Sequence, residues 1–160
     1  MGVMRKALLA VLAAVVMVVG VGASAGAGDR VIAPEADVAH HGHVSLASGR
    51  LGVSLASASH GPASLANATV RLEFSAPLAG AQALPGSCLW GGDQVVLCGT
   101  GPLRAGGAAR RVVLDLRAVG LPEEAVVRIS TLWNGGTTDR NVANNEHRVV
   151  APATGDRYVF

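Results

Sequence analysis

Aromatic side chains are scarce in this sequence, and lysine is almost absent. Aromatic residues make up 3% of the 160 residues, although half of the chain is hydrophobic. The core must therefore be built from valine, leucine and alanine, with only a few rings as anchors. Lys6 is the only lysine, so arginine supplies nearly all of the positive charge.

The sequence has only a small excess of positive charge, with a formal net charge of +2. Arg5 and Lys6 belong to a segment that we expect to be removed, and the rest of the chain then carries equal numbers of basic and acidic residues. Nucleic-acid binding normally requires a basic electrostatic field. We therefore expect no nucleic acid among the partners.

A single long apolar run is present, and it lies near the first residue. Arg5 and Lys6 precede the run from Ala7 to Val21, and Ala23-Ser24-Ala25 or Ala25-Gly26-Ala27 follows as a cleavage site. This order predicts a helical signal peptide over residues 1–27. The alternative is an uncleaved membrane anchor, but the run is shorter than the roughly 20 residues that a span needs. We expect a secreted protein, extracellular or associated with the cell surface, that is not membrane-bound after cleavage.

Signatures of catalysis are missing as well. The sequence contains no Gly-x-Ser-x-Gly, no His-Glu-x-x-His and no phosphate-binding glycine loop after a strand. We therefore expect a protein that is not an enzyme and that requires no cofactor.

Only two cysteines are present, and they flank a turn. In the segment from Cys88 to Cys98, Gly91, Gly92 and Asp93 form the centre, with apolar residues on both sides. Folding about Asp93 places Cys88 opposite Cys98 and Trp90 opposite Val96. Opposed residues on antiparallel strands lie about 4.5–5.5 Å apart, which suits a disulfide. Because the redox motif Cys-x-x-Cys is absent, we predict a structural disulfide in an exported domain.

Apolar and polar residues alternate with a period of two in several segments. Between Ala68 and Phe74, for example, Val70 and Leu72 alternate with Arg71 and Glu73. This period is typical of half-buried strands, and turn signals separate the segments. The pattern predicts an all-β fold, an antiparallel β-sandwich of seven to nine strands, with a barrel as the alternative. We expect a linker over 28–36, the domain over 37–150 and a tail over 151–160.

An ordered set of short motifs resembles the bacterial immunoglobulin-like (Ig-like) repeats once named domain of unknown function 11. The motifs are Ala36-Asp37-Val38, Ser59-His60-Gly61-Pro62-Ala63, Cys88 with Cys98, Gly101-Pro102-Leu103 and Asn144-Asn145. The resemblance implies an Ig-like β-sandwich of an extracellular, non-catalytic type, and it transfers no functional residues. The sequence departs from the repeats at His40-His41-Gly42-His43 and in having one domain instead of an array.

Two groups of residues are candidate metal ligands. His40, His41 and His43 form an imidazole cluster that could bind Zn²⁺, Cu²⁺ or Ni²⁺. In a strand, His41 and His43 would share a face while His40 points away, so His60 or His147 would have to complete the site. Oxygen ligands for Ca²⁺ are offered by a second group, Asp139, Asn141, Asn144 and Asn145. Surface histidines in the first group and ordinary loop hydrogen bonding in the second are the alternatives.

The last three residues contain two of the five aromatic side chains, Tyr158 and Phe160. They predict either a final edge strand or an exposed terminus that a partner captures by strand addition. Together these features favour a secreted, non-catalytic module with a structural or binding role at the cell envelope. Its partner would be an envelope protein or a polysaccharide. The alternatives are a small exported metal-binding protein and a small secreted enzyme or inhibitor.

Overall fold

A computed structural model describes residues 35–80 and 82–160. These residues belong to one compact unit. The predicted signal peptide, and the predicted linker up to residue 34, lie outside the described residues.

The described chain is built almost entirely from β-strands, which alternate with turns and loops. Eight strands have five or more residues and three have two. The strands are β1 Glu35–Ala36, β2 Val38–Ala47, β3 Arg50–Ser59, β4 Thr69–Phe74, β5 Cys88–Gly92, β6 Val95–Gly99, β7 Arg110–Arg117, β8 Glu124–Trp133, β9 Thr138–Asp139, β10 Glu146–Pro152 and β11 Tyr158–Val159. The prediction of an all-β protein is therefore confirmed.

Two antiparallel sheets contain most of the strands. One is five-stranded with the order β10-β8-β4-β6-β5, and the other is four-stranded with the order β11-β2-β3-β7. A short parallel pair of β1 and β9 lies outside these two sheets. Consecutive strands such as β2 and β3 form hairpins, whereas the chain passes from one large sheet to the other after β3, β6, β7 and β10.

The main core is shared by inward-facing side chains of both large sheets. Val70, Leu72 and Phe74 of β4 are buried, as their alternation predicts, and they belong to the same cluster as Val44 and Leu46 of β2. A second, smaller cluster comprises Ala36, Val38, Leu65, Ala68 and Leu103. Valine, leucine and alanine dominate both clusters, in agreement with the scarcity of aromatic residues.

The hairpin of β5 and β6 has the predicted pairing. Cys88 lies opposite Cys98, with their Cα atoms 4.1 Å apart and their sulfurs bonded, and Trp90 lies opposite Val96. The pairing register shifts between Trp90 and Gly92, so Gly91 is an extra residue on β5. This bulge moves the turn of the hairpin to the two residues after Gly92.

The predicted domain boundaries, 37 and 150, are too narrow at both ends. Residues 35–36 form β1 instead of ending a linker. β10 continues to Pro152, and Ala151 is fully buried in the core. The predicted tail also contains β11, in which Tyr158 pairs with Val44 of β2. The reason is physical, because β2 would otherwise be an open sheet edge beside apolar side chains.

Candidate functional site

The three histidines of β2 do not converge on one point. His40 is fully buried on the inward face, while His41 is exposed on the opposite face beside His43. This separation follows from the period of two along a strand. No group of three or more potential metal ligands occurs among the described residues. One imidazole therefore lies inward and two lie outward, which is the arrangement expected for a strand, so all three do not form one site.

His40 makes hydrogen bonds that connect the two large sheets. Its Nδ1 lies 3.0 Å from Oγ of Ser57 on β3, and its Nε2 lies 2.9 Å from Oγ1 of Thr131 on β8. Both ring nitrogens are thus engaged by hydroxyl groups, and neither is free to bind a metal ion. His40 acts as a buried polar link in an otherwise apolar interior.

The pKa of His40 is lowered from 6.5 to about 4, and burial is the largest cause. The nearby imidazoles of His147 on β10 and His41 contribute to this lowering, while the carboxylate of Asp139 opposes it. The ring is therefore neutral at pH 7, and each nitrogen can form only the bond that its tautomer permits.

The oxygen-rich loop before β10 is occupied by internal hydrogen bonds. Asp139 accepts from the backbone N of Val38 at 2.9 Å and from Nδ2 of Asn145 at 3.0 Å through Oδ2. Its Oδ1 accepts from the backbone N of Asn141 at 3.0 Å. These bonds attach the start of β2 to the loop. They correspond to the predicted alternative, ordinary loop hydrogen bonding in place of a calcium site.

Asn144 extends the same network to a second carboxylate. Its Nδ2 donates to Oδ1 of Asp37 at 2.6 Å, and its backbone O accepts from Nε2 of His147 at 3.1 Å. Its Oδ1 is buried and has no hydrogen-bond partner in the described part of the chain. Asn144 itself is only partly buried. The side-chain amides of Asn144 and Asn145 therefore donate hydrogen bonds to carboxylates, and the loop does not present a set of converging oxygens.

Tyr158 and Phe160 pack on the protein's own core. The backbone N and O of Phe160 exchange hydrogen bonds with Gly42, each at 3.1 Å, and its ring centroid lies 5.2 Å from that of His147. A Cβ at position 42 would lie 3.0 Å from the Phe160 ring and 1.9 Å from the backbone O of Ser54. Tyr158 thus lies in an edge strand, Phe160 continues its hydrogen bonding to β2, and the alternative of an exposed aromatic terminus is corrected. The one large exposed side chain of β11 is Val159, at 80%.

The outward faces of the two sheets differ in charge. Outward residues of the four-stranded sheet include Arg50, Arg111 and Arg117, with Asp115 as the sole carboxylate. The outward face of the five-stranded sheet mixes both signs, and an open depression of about 450 Å³ there is lined by arginines and glutamates. The sequence predicts that Arg111 and Arg117 face outward. It does not predict that Arg50 lies opposite Arg117, since 66 residues separate them and no local signal reports such a pairing.

Comparisons with protein-family models, curated proteins and solved structures give no match to this chain. The described residues include no helix of the length and apolarity needed to cross a membrane. Within them, both cysteines are used in the disulfide, which indicates an oxidising, extracytoplasmic environment.

Proposed function

We propose that this protein is an exported, non-catalytic Ig-like β-sandwich module with a structural or binding role at the bacterial cell envelope. The observation that carries the proposal is the hairpin closed by Cys88 and Cys98. Disulfides form and persist outside the cytoplasm, and small exported domains use them to supplement a limited core. The predicted signal peptide over residues 1–27 supports the same compartment.

The order of strands supports the Ig-like assignment. In Ig sandwiches, strands A, B and E lie side by side in one sheet, and strands C, F and G do so in the other. The neighbours β2-β3-β7 and β4-β8-β10 have the corresponding positions along the chain and in the sheets. The core shared by the two sheets supports a face-to-face arrangement.

Two features distinguish this chain from a typical Ig domain. The hairpin of β5 and β6 extends the sheet beyond β4, as additional strands do in variable-type Ig domains, but the later strand β6 is the one next to β4. The disulfide lies within this hairpin and does not join the two sheets. The module would therefore be a variant of the Ig fold in which the disulfide stabilises the hairpin that extends the sheet.

A binding or structural role is supported by where the polar side chains lie and by their hydrogen bonds. The buried polar side chains, such as His40 and Asn145, are engaged in hydrogen bonds with other parts of the domain. The apolar interior is shared between the sheets, and the charged side chains lie on the outer faces. A module of this kind would act through its surface, with an envelope protein or polysaccharide as its partner.

Cosedimentation tests the proposal directly. Purified mature protein, residues 26–160, is mixed with isolated cell envelopes from its source at about 0.15 M salt, which screens weak surface charge interactions. We expect saturable binding that unlabelled protein competes away, with an exported protein of similar size and charge as the control. Protein that stays in the supernatant at every envelope concentration would contradict the proposal. Recovery of the native protein from the cytoplasm with both thiols free would contradict the assigned compartment.

A further inference from the structure

Positive charge is concentrated around one strand, β7, although the described residues are neutral as a whole. Ten arginines and ten acidic residues lie between Glu35 and Phe160. Five of those arginines lie on or beside β7, accompanied by one acidic residue, Asp115. We call the outward surface of β3 and β7 the arginine face, and its arginines are Arg50, Arg111 and Arg117. Arg104 and Arg110 lie near the start of β7, and Arg110 is on the opposite side of the pleat from Arg111.

The strand register sets the spacing of the outward cations. Arg117 lies opposite Arg50 of β3, and Arg111 lies opposite Ala56 at the other end of the ladder. Since a strand rises about 3.4 Å per residue, Arg111 and Arg117 are about 20 Å apart along β7. Arg104 and Arg110 extend the positive charge past the start of β7, where the Nε of Arg110 donates to the backbone O of Pro102 at 3.1 Å.

Small side chains cover the outward surface of β3 beside these cations. The outward residues of β3 between Arg50 and the end of the ladder are Gly52, Ser54 and Ala56. On the far side of β3, His41 lies opposite Ala56 and His43 lies opposite Ser54. The result is a flat, open track along β3, with arginines on one side and imidazoles on the other.

Little of this charge is neutralised by the protein itself. Arg50 forms an ion pair with Asp115, whereas no carboxylate lies within ion-pair distance of Arg111 or Arg117 in the described part of the chain. Like charges directly opposed across strands are destabilising, and the ion pair with Asp115 offsets this repulsion between Arg50 and Arg117. Charges on a free edge strand prevent strand-to-strand aggregation. That role accounts for the arginines on β7, and the ion pair accounts for Arg50, but neither accounts for Arg104 before β7.

We propose that the arginine face binds a linear polysaccharide that carries repeated carboxylate groups. The proposal rests on the envelope function proposed above and names the surface and the chemistry of the partner. Arginine recognises carboxylates through paired hydrogen bonds, and spaced basic residues are typical of surfaces that bind acidic polysaccharides. An extended polymer could place successive carboxylates along the track and contact the small residues of β3 without a pocket.

The composition of the face favours a polysaccharide over other anionic polymers. None of the five aromatic residues, Phe74, Trp90, Trp133, Tyr158 and Phe160, is an outward residue of the four-stranded sheet's central strands. Hot spots of protein interfaces are enriched in tryptophan, tyrosine and arginine, whereas valine is under-represented. The one large apolar side chain exposed among the outward residues of β7 is Val113, at 63%. Proteins that bind single-stranded nucleic acids use aromatic side chains on which bases stack. The arginine face supplies cations without a ring, which suits a hydrophilic chain of charged sugars.

The test measures binding of the mature protein to immobilised polygalacturonate, with uncharged dextran as the reference polymer. The variant Arg111→Gln/Arg117→Gln removes two cations from the arginine face. The matched control Arg128→Gln/Arg148→Gln removes two cations that oppose each other on the outward face of the five-stranded sheet. All four side chains are exposed, so both variants should fold, which thermal unfolding verifies.

We expect the Arg111→Gln/Arg117→Gln variant to bind polygalacturonate about tenfold more weakly, since each exposed charge contact contributes up to about 1 kcal/mol. The control variant should bind within about twofold of the wild type, and dextran should not bind. Equal losses in the two variants would overturn the proposal, because net charge alone would then explain binding. Tighter binding to duplex DNA or to a polyglutamate peptide of the same charge density would overturn it in favour of those polymers.

The envelope experiment separates the two proposals. Wild-type protein that sediments with envelopes but does not bind polygalacturonate would refute the assignment of the arginine face and leave the envelope function standing. Failure in both experiments would refute both.

Discussion

Acidification should weaken the fold through His40. Because burial holds the pKa of His40 at about 4, below its ordinary value of 6.5, the unfolded chain takes up a proton more readily than the folded domain between these two values. The contribution of the neutral imidazole to stability is therefore complete above pH 6.5. It is lost progressively as the pH falls towards 4.

The size of the effect follows from the two pKa values. A difference of one pH unit corresponds to about 1.4 kcal/mol, so the full loss would be about 3 kcal/mol below pH 4. By pH 5 the loss should reach about 2 kcal/mol, before most carboxylates begin to titrate. The charged and titratable groups near His40 are His147, His41 and Asp139, and their effects on its pKa are included in this value.

Urea unfolding followed by circular dichroism, at several pH values between about 7.5 and 5, measures this dependence. The variant His40→Leu removes the titrating ring. It should be less stable at pH 7.5, because the hydroxyls of Ser57 and Thr131 lose their partner at a cost of about 1–3 kcal/mol. Its stability should nevertheless vary less with pH, and the gap to the wild type should narrow by about 2 kcal/mol at pH 5.

A matched control keeps the test specific. His60 is exposed in the turn after β3, and His60→Leu leaves the buried ring in place. We expect His60→Leu to retain the wild-type dependence on pH. If His40→Leu also retained the full wild-type slope, the buried imidazole would not be the source of the acid sensitivity and the reasoning would be refuted.

Three further predictions concern stability. Leu72→Ala, at a fully buried position of β4, should lower the free energy of unfolding by about 2–5 kcal/mol, and a loss below about 1 kcal/mol would contradict the assigned core. Replacing Cys88 and Cys98 together by serine should cost about 2–3 kcal/mol in urea unfolding, and a variant as stable as the wild type would show that the disulfide does not restrain the unfolded chain. Gly42→Ala should destabilise because its Cβ would clash with the backbone of β3, whereas Gly80→Ala has open space; equal melting temperatures for the two variants would refute the close approach.

The local pattern of the sequence was sufficient for strands whose neighbours are close or whose alternation is regular. The faces of β4 follow from alternation alone, because the charged residues Arg71 and Glu73 alternate with the inward apolar ones. The pairing of Cys88 with Cys98 follows from a short turn whose length fixes the register. Even there, the bulge at Gly91 was not predicted, since an extra residue on one strand leaves the flanking pairs unchanged.

The role of His40 could not be predicted, because its partners are distant in sequence. Ser57 and Thr131 follow it by 17 and 91 residues, so the local sequence shows that His40 points away from the other two imidazoles but not what it bonds to. The same limit applies to the arginine face, where β3 brings Arg50 next to Arg117. The three histidines, which are neighbours in sequence, are separated because alternate side chains of a strand point to opposite faces. Arg50 and Arg117, which are distant in sequence, are brought together by strand pairing.

The pairing of β11 with β2 affects the order in which the chain can fold. β2 meets β3 across a tight turn, but its other edge is completed by a strand that follows it by more than a hundred residues. Contacts of such long sequence separation form late, because the entropy of loop closure opposes them. A chain that emerges from a translocation pore with its first residues leading would keep one edge of β2 open until nearly all of the described domain had passed through. Completion of the four-stranded sheet therefore has to wait for β11, the last strand of the described domain.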